Sequence, residues 1–164
     1  MRFIALKVLV VYDSVYGNTE KIAFAISDSL SSEEKIETVR VNEIKSEQIA
    51  GLDYLIVGSP TQAFKPTKAI STFLKSVSKN SLSGVKVAAF DTRISTSDTN
   101  SAVFNFLEKI FGYAAKPIAV RLDKKGGTLI VPPEGFFVKD TEGPLKDGEI
   151  GRAESWAKQI IKSR

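Results

Sequence analysis

The sequence contains no cysteine and no histidine, and only one methionine and one tryptophan. Without thiols there is no disulfide, no thiolate metal site and no cysteine nucleophile. Without imidazole the commonest general base and metal ligand is missing, and histidine-based hydrolytic triads are excluded. Long apolar runs are absent too, and nothing approaches the roughly 20 residues of a membrane span. Blocks of like charge are also missing. The 23 Lys and Arg residues exceed the 19 Asp and Glu residues, for a net +4, but they are scattered along the chain. That distribution argues against nucleic acid as a partner and for a solvated surface. Difficult chemistry in such a chain falls to a cofactor.

The 164 residues are the size of one domain, expected to span 1–164. The 43% hydrophobic and 26% charged content exclude disorder, collagen and coiled coil. The opening apolar segment, with Arg2 near its front, has some features of a signal peptide. Lys7 interrupts it, however, and Asp13 stands where a small-residue cleavage site belongs. A buried first strand accounts for it better, and the protein is expected in the cytoplasm.

Strands and helices alternate with short turns. The first strand, about 3–12, carries Val8-Leu9-Val10-Val11, a continuous apolar run suited to a strand covered on both faces. Ile22, Ile26 and Leu30 repeat every fourth residue and predict a helix over 18–30. The second strand, 36–41, alternates polar and apolar residues and belongs at a sheet edge. A helical turn near 46–50 precedes a third strand at 53–57. Pro66 opens a helix over 66–79, with Ile70, Phe73, Leu74 and Val77 inward. A fourth strand covers 85–90. Val103, Leu107, Ile110 and Phe111 suggest a short helix ending near Gly112, and Pro117 starts another with Ile118 and Leu122 inward. Gly126-Gly127 stops it. The fifth strand, 128–131, is broken by Pro132-Pro133 and resumes at Phe136-Phe137-Val138. The last helix, 149–162, has Ile150, Ala153, Trp156, Ala157, Ile160 and Ile161 on its inner face. The fold class is α/β: a three-layer, doubly wound, five-stranded parallel sheet in the order 2-1-3-4-5.

The turn after the first strand reads Ser14-Val15-Tyr16-Gly17-Asn18-Thr19. It lies between the carboxyl end of a central strand and the amino end of a helix, where free N–H groups and the positive end of the helix dipole converge. Gly17 allows a sharp turn and close approach of a ligand. Ser14, Asn18 and Thr19 bring short polar side chains suited to phosphate oxygens. The same letters also make an ordinary strand-to-helix turn with Asn18 or Thr19 as its cap. Their position after the first strand of a five-strand α/β chain favours phosphate.

Here the sequence resembles the flavodoxin family, whose phosphate loop reads Thr/Ser-x-Thr-Gly-x-Thr after the first strand. Ser14, Gly17 and Thr19 match, and Tyr16 stands where Thr or Ser is usual. The resemblance implies that Ser14, Val15, Tyr16, Gly17, Asn18 and Thr19 wrap the phosphate of flavin mononucleotide (FMN). It also implies that Pro60, Thr61, Gln62, Ala63 and Phe64, after the third strand, line the flavin ring. Phe64 either stacks on the ring or anchors the following helix. After the fourth strand come Asp91, Thr92 and Arg93, with no tyrosine between Asp91 and Asn105 to cover the outer face. Phe104 or the Arg93 plane takes that place, or the face stays open. Arg93 sits near the ring's N1 and O2, or else makes a surface salt bridge. The segment from Gly135 to Trp156 is structural, with Glu149 at a helix start.

The resemblance implies an electron-transfer flavoprotein working with a redox partner protein or a small-molecule acceptor. The alternative is an FMN-dependent NAD(P)H:quinone-type reductase. A receiver-type regulatory module is disfavoured because Asp13 has no acidic neighbour and Gly58-Ser59 occupy the phosphoacceptor's place. A flavin-free scaffold would keep the loop only as architecture. The sequence pI near 9.2 predicts a less negative hydroquinone potential than an acidic flavodoxin has, and an acidic partner surface.

Overall fold

The computed structural model describes residues 5–30, 34–95 and 101–162, the side chains of Ile110 and Phe111 excepted. The first strand, β1 (Lys7–Tyr12), is buried from Val8 onward because both its faces are covered. Leu9 and Val11 face one apolar layer, while Val8, Val10 and Tyr12 face the other. Residues 5 and 6 precede the strand, and its expected start at 3–4 lies outside the described residues. Helix α1 (Asn18–Ser29) follows, with Ile22 and Ile26 fully buried.

The next strand, β2 (Lys35–Arg40), pairs in parallel with β1 at the sheet edge, and its alternation leaves one side wetter. A single 3-10 turn at Val41–Glu43 and the short α2 (Ser46–Ile49) lead to β3 (Tyr54–Pro60), which pairs with the other side of β1. Helix α3 (Lys68–Ser76) is capped by Thr67, whose hydroxyl accepts from the Ile70 amide at 3.3 Å. Pro66 therefore lies before the cap instead of opening the helix. The hydroxyl satisfies an amide that would otherwise be orphaned, so it sets the boundary. The strand β4 (Lys86–Ile94) runs beyond its expected end at Phe90 and pairs with β3.

Helices α4 (Ala102–Phe111) and α5 (Ala115–Lys124) meet at Gly112. Pro117 is the third residue of α5, not the first. It is tolerated there because first-turn amides need no intrahelical acceptor. The fifth position of the sheet is shared by two short strands, β5 (Thr128–Leu129) and β6 (Glu134–Val138), both parallel to β4. Ile130 keeps one bond, its amide donating to the Val87 carbonyl at 3.3 Å, before Pro132-Pro133 interrupt the ladder. The order is thus β2-β1-β3-β4-β5, with β6 also on β4.

Helix α6 (Glu149–Lys162) packs with α1 on one face, and α3 packs with α5 on the other. Ala153, Trp156, Ala157 and Ile160 of α6 are buried as expected, and Ile161 packs partly against the same layer. Ile150 is 40% exposed, contrary to its expected inward position. Glu149 takes the buried place at that end of the helix instead. Phe90, Phe136 and Trp156 meet edge to face, with centroids 5.9–6.1 Å apart, and lock β4, β6 and α6 together.

Candidate functional site

Parallel strands deliver all their following loops to one edge. The reversal of strand order beside β1 leaves a crevice there, where open α/β sheets bind ligands. The loop after β1 is shaped at Gly17, the N-cap of α1, whose φ of 90° lies in the left-handed region that glycine enters without strain. The Ser14 hydroxyl accepts from the amides of Gly17 (3.0 Å) and Glu20 (3.4 Å). Among the described residues, the amides of Val15, Tyr16, Asn18 and Thr19 meet no protein acceptor. These donors sit at the positive end of α1, so the loop suits an anion.

Arg40, at the end of β2, braces this loop. Its Nη1 donates to the Ser14 carbonyl at 2.9 Å and its Nη2 to Glu20 at 3.1 Å, with Asp13 at 3.5 Å. The guanidinium also lies 5.3 Å from the Tyr12 ring centroid. The Tyr12 hydroxyl donates to Glu20 at 2.7 Å. Burial, reinforced by Glu20, pushes that phenol up to about 12, so it stays neutral. Two further contacts tie the loop to distant segments. The hydroxyls of Thr19 and Thr92 are 2.8 Å apart and buried, and Asn18 Nδ2 donates to the Glu142 carbonyl at 3.1 Å.

The loop after β3 folds back on itself. Gln62 and Lys65 exchange backbone bonds of 2.8 and 2.9 Å across Ala63 and Phe64, whose φ angles are 47° and 66°. Two consecutive left-handed residues make a tight turn that usually carries glycine or asparagine, so this turn is strained. The Thr61 amide donates to the Thr92 carbonyl at 3.0 Å, and its hydroxyl accepts from the Ala114 amide at 3.1 Å. Phe64 packs on Phe104 with centroids 5.3 Å apart.

Asp91 is wholly buried and receives two bonds of 2.7 Å from Arg93 and one of 2.8 Å from the Ala115 amide. Burial pushes its carboxyl upward, against the pull of Arg93 and that amide. The Arg93 guanidinium lies 3.8 Å from the Tyr113 ring centroid. It occupies space that opens only because residue 135 is glycine: a Cβ there would sit 2.1 Å from Arg93 Nε. Arg93 is thus held in a partly buried fork with Asp91, not in a surface ion pair, while still lining the cleft.

The cleft itself is walled by Ser14, Val15, Tyr16, Asn18 and Thr19 on one side and by Pro60, Thr61, Thr92 and Arg93 on the other. Ala63 and Phe64 line an adjoining hollow, which shares Thr61 and Arg93 with the cleft. Gly17 shapes the loop from outside the lining, its amide donating to the Ser14 hydroxyl. Gln62 is exposed, and both it and Asp91 stand outside the lining. Ile94, Val138, Thr141 and Tyr113 line the two hollows as well, and sequence reasoning missed them. The register Ile94↔Val138 brings the last loop to the cleft. Tyr113 lies beyond the stretch from Asp91 to Asn105, which holds no tyrosine.

Fold and site together define a doubly wound α/β protein with a loop of amides without protein acceptors at its switch point and a hollow lined by Ala63, Phe64 and Ile94 beside it. Residues 9–131 match the sequence model of the flavodoxin domain, and the chain belongs to that family. It is 36% identical over 87 residues to "Probable flavodoxin 1" of Bacillus subtilis (strain 168), an alignment covering 51% of this chain and 54% of that protein. The chain thus spans about half the length of this curated relative. A flavodoxin from the domain Archaea superposes with a TM-score of 0.75 at 22% identity, over 96% of this chain and 98% of that one. Oxidised Flavodoxin 2 from Bacillus cereus superposes with a TM-score of 0.75 at 21% identity, over 96% and 99%. Membership of the family makes a flavin the class of cofactor. Among the described residues no helix is long and apolar enough to cross a membrane.

Proposed function

We propose that the chain binds FMN in this cleft and serves as an electron-transfer flavoprotein. The observation that carries the reading is the left-handed Gly17 cap, with four acceptor-free amides opening into a slot walled by Pro60, Ile94 and Val138. Residues 14–19 hold the phosphate through amides and short hydroxyls. Pro60, Thr61, Ala63, Phe64, Thr92 and Arg93 flank the ring, with Gln62 and Asp91 behind them as supports of the turn and the fork. Bound FMN would supply one- and two-electron chemistry. The chain orients it, limits water at the slot, and sets the charge around it. Electrons pass to a redox partner.

Purified protein mixed with FMN should show two flavin bands displaced from those of free FMN, and calorimetry should show one site. Riboflavin, which lacks the phosphate, should bind at least about a hundredfold more weakly, equivalent to the roughly 3 kcal/mol of the anion cradle. Equal affinities for the two would refute the phosphate assignment, and no heat with FMN would end the flavin reading.

A further inference from the structure

Beside the flavin slot, a second concavity of about 780 Å³ runs between α3 and α5. Phe64 lines both, so the groove is continuous with the ring end of the candidate site. Its lining includes five cations, Lys65, Lys68, Lys116, Arg121 and Lys124, and no carboxylate. Pro66, Pro117 and Val120 give it an apolar floor, with Val120 46% exposed. Among the described residues, none of the five pairs with an acidic side chain. Asp123, the acid on α5, is exposed and lies outside the lining.

The chain carries a net charge of only +4, so five unpaired cations in one groove are a local concentration of charge. Like charges gathered around apolar surface repel one another unless an anion joins them. Arg121 adds an independent sign: its Nη1 is buried with no hydrogen-bond partner in the structure. A buried donor left unmade is costly, and because Arg121 lines the groove, a shift of its side chain toward an incoming carboxylate would satisfy it. Long, mobile lysines over a shallow apolar floor suit a transient protein encounter guided by charge, with fast arrival and easy release.

We propose that this groove docks an acidic segment of a partner protein, placing that partner against the Phe64 end of the slot. The assignment rests on the electron-transfer reading only for what the docking achieves, since the groove's recognition chemistry stands apart from the flavin. Five lysine and arginine heads meet glutamate or aspartate side chains, and apolar residues between those acids lie on Pro117 and Val120.

The test uses the full chain, with and without FMN, and a fluorescein-labelled peptide of four Glu-Glu-Leu repeats. Fluorescence anisotropy at low ionic strength should show saturable binding that weakens at least tenfold when salt is raised to physiological strength. The triple variant Lys65→Glu/Lys116→Glu/Lys124→Glu should abolish it, and the neutral set Lys65→Gln/Lys116→Gln/Lys124→Gln should weaken it in between. A matched reversal on the α1/α6 face, Lys21→Glu/Lys158→Glu/Lys162→Glu, should leave most of it. Equal losses in the two Glu triples would mean that net charge alone attracts the peptide, and would overturn the proposal. So would displacement of the peptide by micromolar NADPH, which would assign the groove to a dinucleotide. Peptide binding by a chain that takes up no FMN would uphold the groove while the flavin reading failed.

Discussion

Arg40 stands outside the cleft lining, yet it grips the carbonyl of Ser14, which lines it, together with Glu20. Removing it frees the backbone at the first residue of the anion loop. Arg40→Met should therefore weaken FMN binding about tenfold, or about 1.4 kcal/mol, measured by quenching of flavin fluorescence. Arg40→Lys should rescue little of this, because one ammonium cannot span both acceptors as a planar fork does. Full affinity in both variants would show that the loop holds its shape unaided. At Ala63 the opposite change is expected. Its φ of 47° is natural for glycine and strained for alanine, so Ala63→Gly should raise stability by about 0.5–1 kcal/mol in urea titrations, the left-handed strain slightly exceeding the glycine entropy cost. A loss of stability would show that the turn is not held left-handed in solution.

At the scale of elements, the start of α6 is riveted to β6. Glu149 accepts from the Phe137 amide at 2.7 Å and from Arg152 at 2.7 and 2.9 Å. Arg152 also pairs with Glu134 at 3.0 Å and donates to the Gly135 carbonyl. Burial alone would raise the Glu149 carboxyl, but Arg152 and the amide together bring it below the ordinary value near 4.5. A lowered value in the folded state means stability that is present above the unfolded value and lost as pH falls through the folded one. Glu149→Gln should therefore cost about 1–3 kcal/mol at pH 7, and the gap to the native chain should close below pH 4.5 in thermal melts. A gap of constant size across that range would remove the ionised pair from the account.

How much of this was legible differs by element. The Val8–Val11 run announced a strand covered on both faces, and its position made the 14–19 turn readable. Strand β2 showed its edge position through alternation. The Asp91–Arg93 fork was hidden, because it depends on a glycine at 135 that only the β4–β6 pairing brings near. Thr141 and Val138 were hidden for the same reason. The apolar stripe of α6 counted Ile150 as inward, because nothing local revealed that the adjacent Glu149 would be buried by partners from β6.

For the molecule as a whole, charge is the main departure from an acidic flavodoxin. A net +4 and the cations at the Phe64 end would favour an anionic reduced ring in bound flavin. The two-electron-reduced state should thus be reached at a less negative potential than in an acidic flavodoxin titrated under the same salt, and the difference should shrink as salt rises. An equally low potential would show that local burial, not field, governs the ring.

The bond between Asn18 and Glu142 joins positions 124 apart in the chain. It fastens the first residue of α1 to a segment beyond residue 131, where the family match ends. Whatever settles at the head of α1 therefore also steadies the segment around Glu142. On the ribosome the cradle stays unbraced on that side until residue 142 has emerged, so ripening of the site waits for a stretch made long after the loop itself.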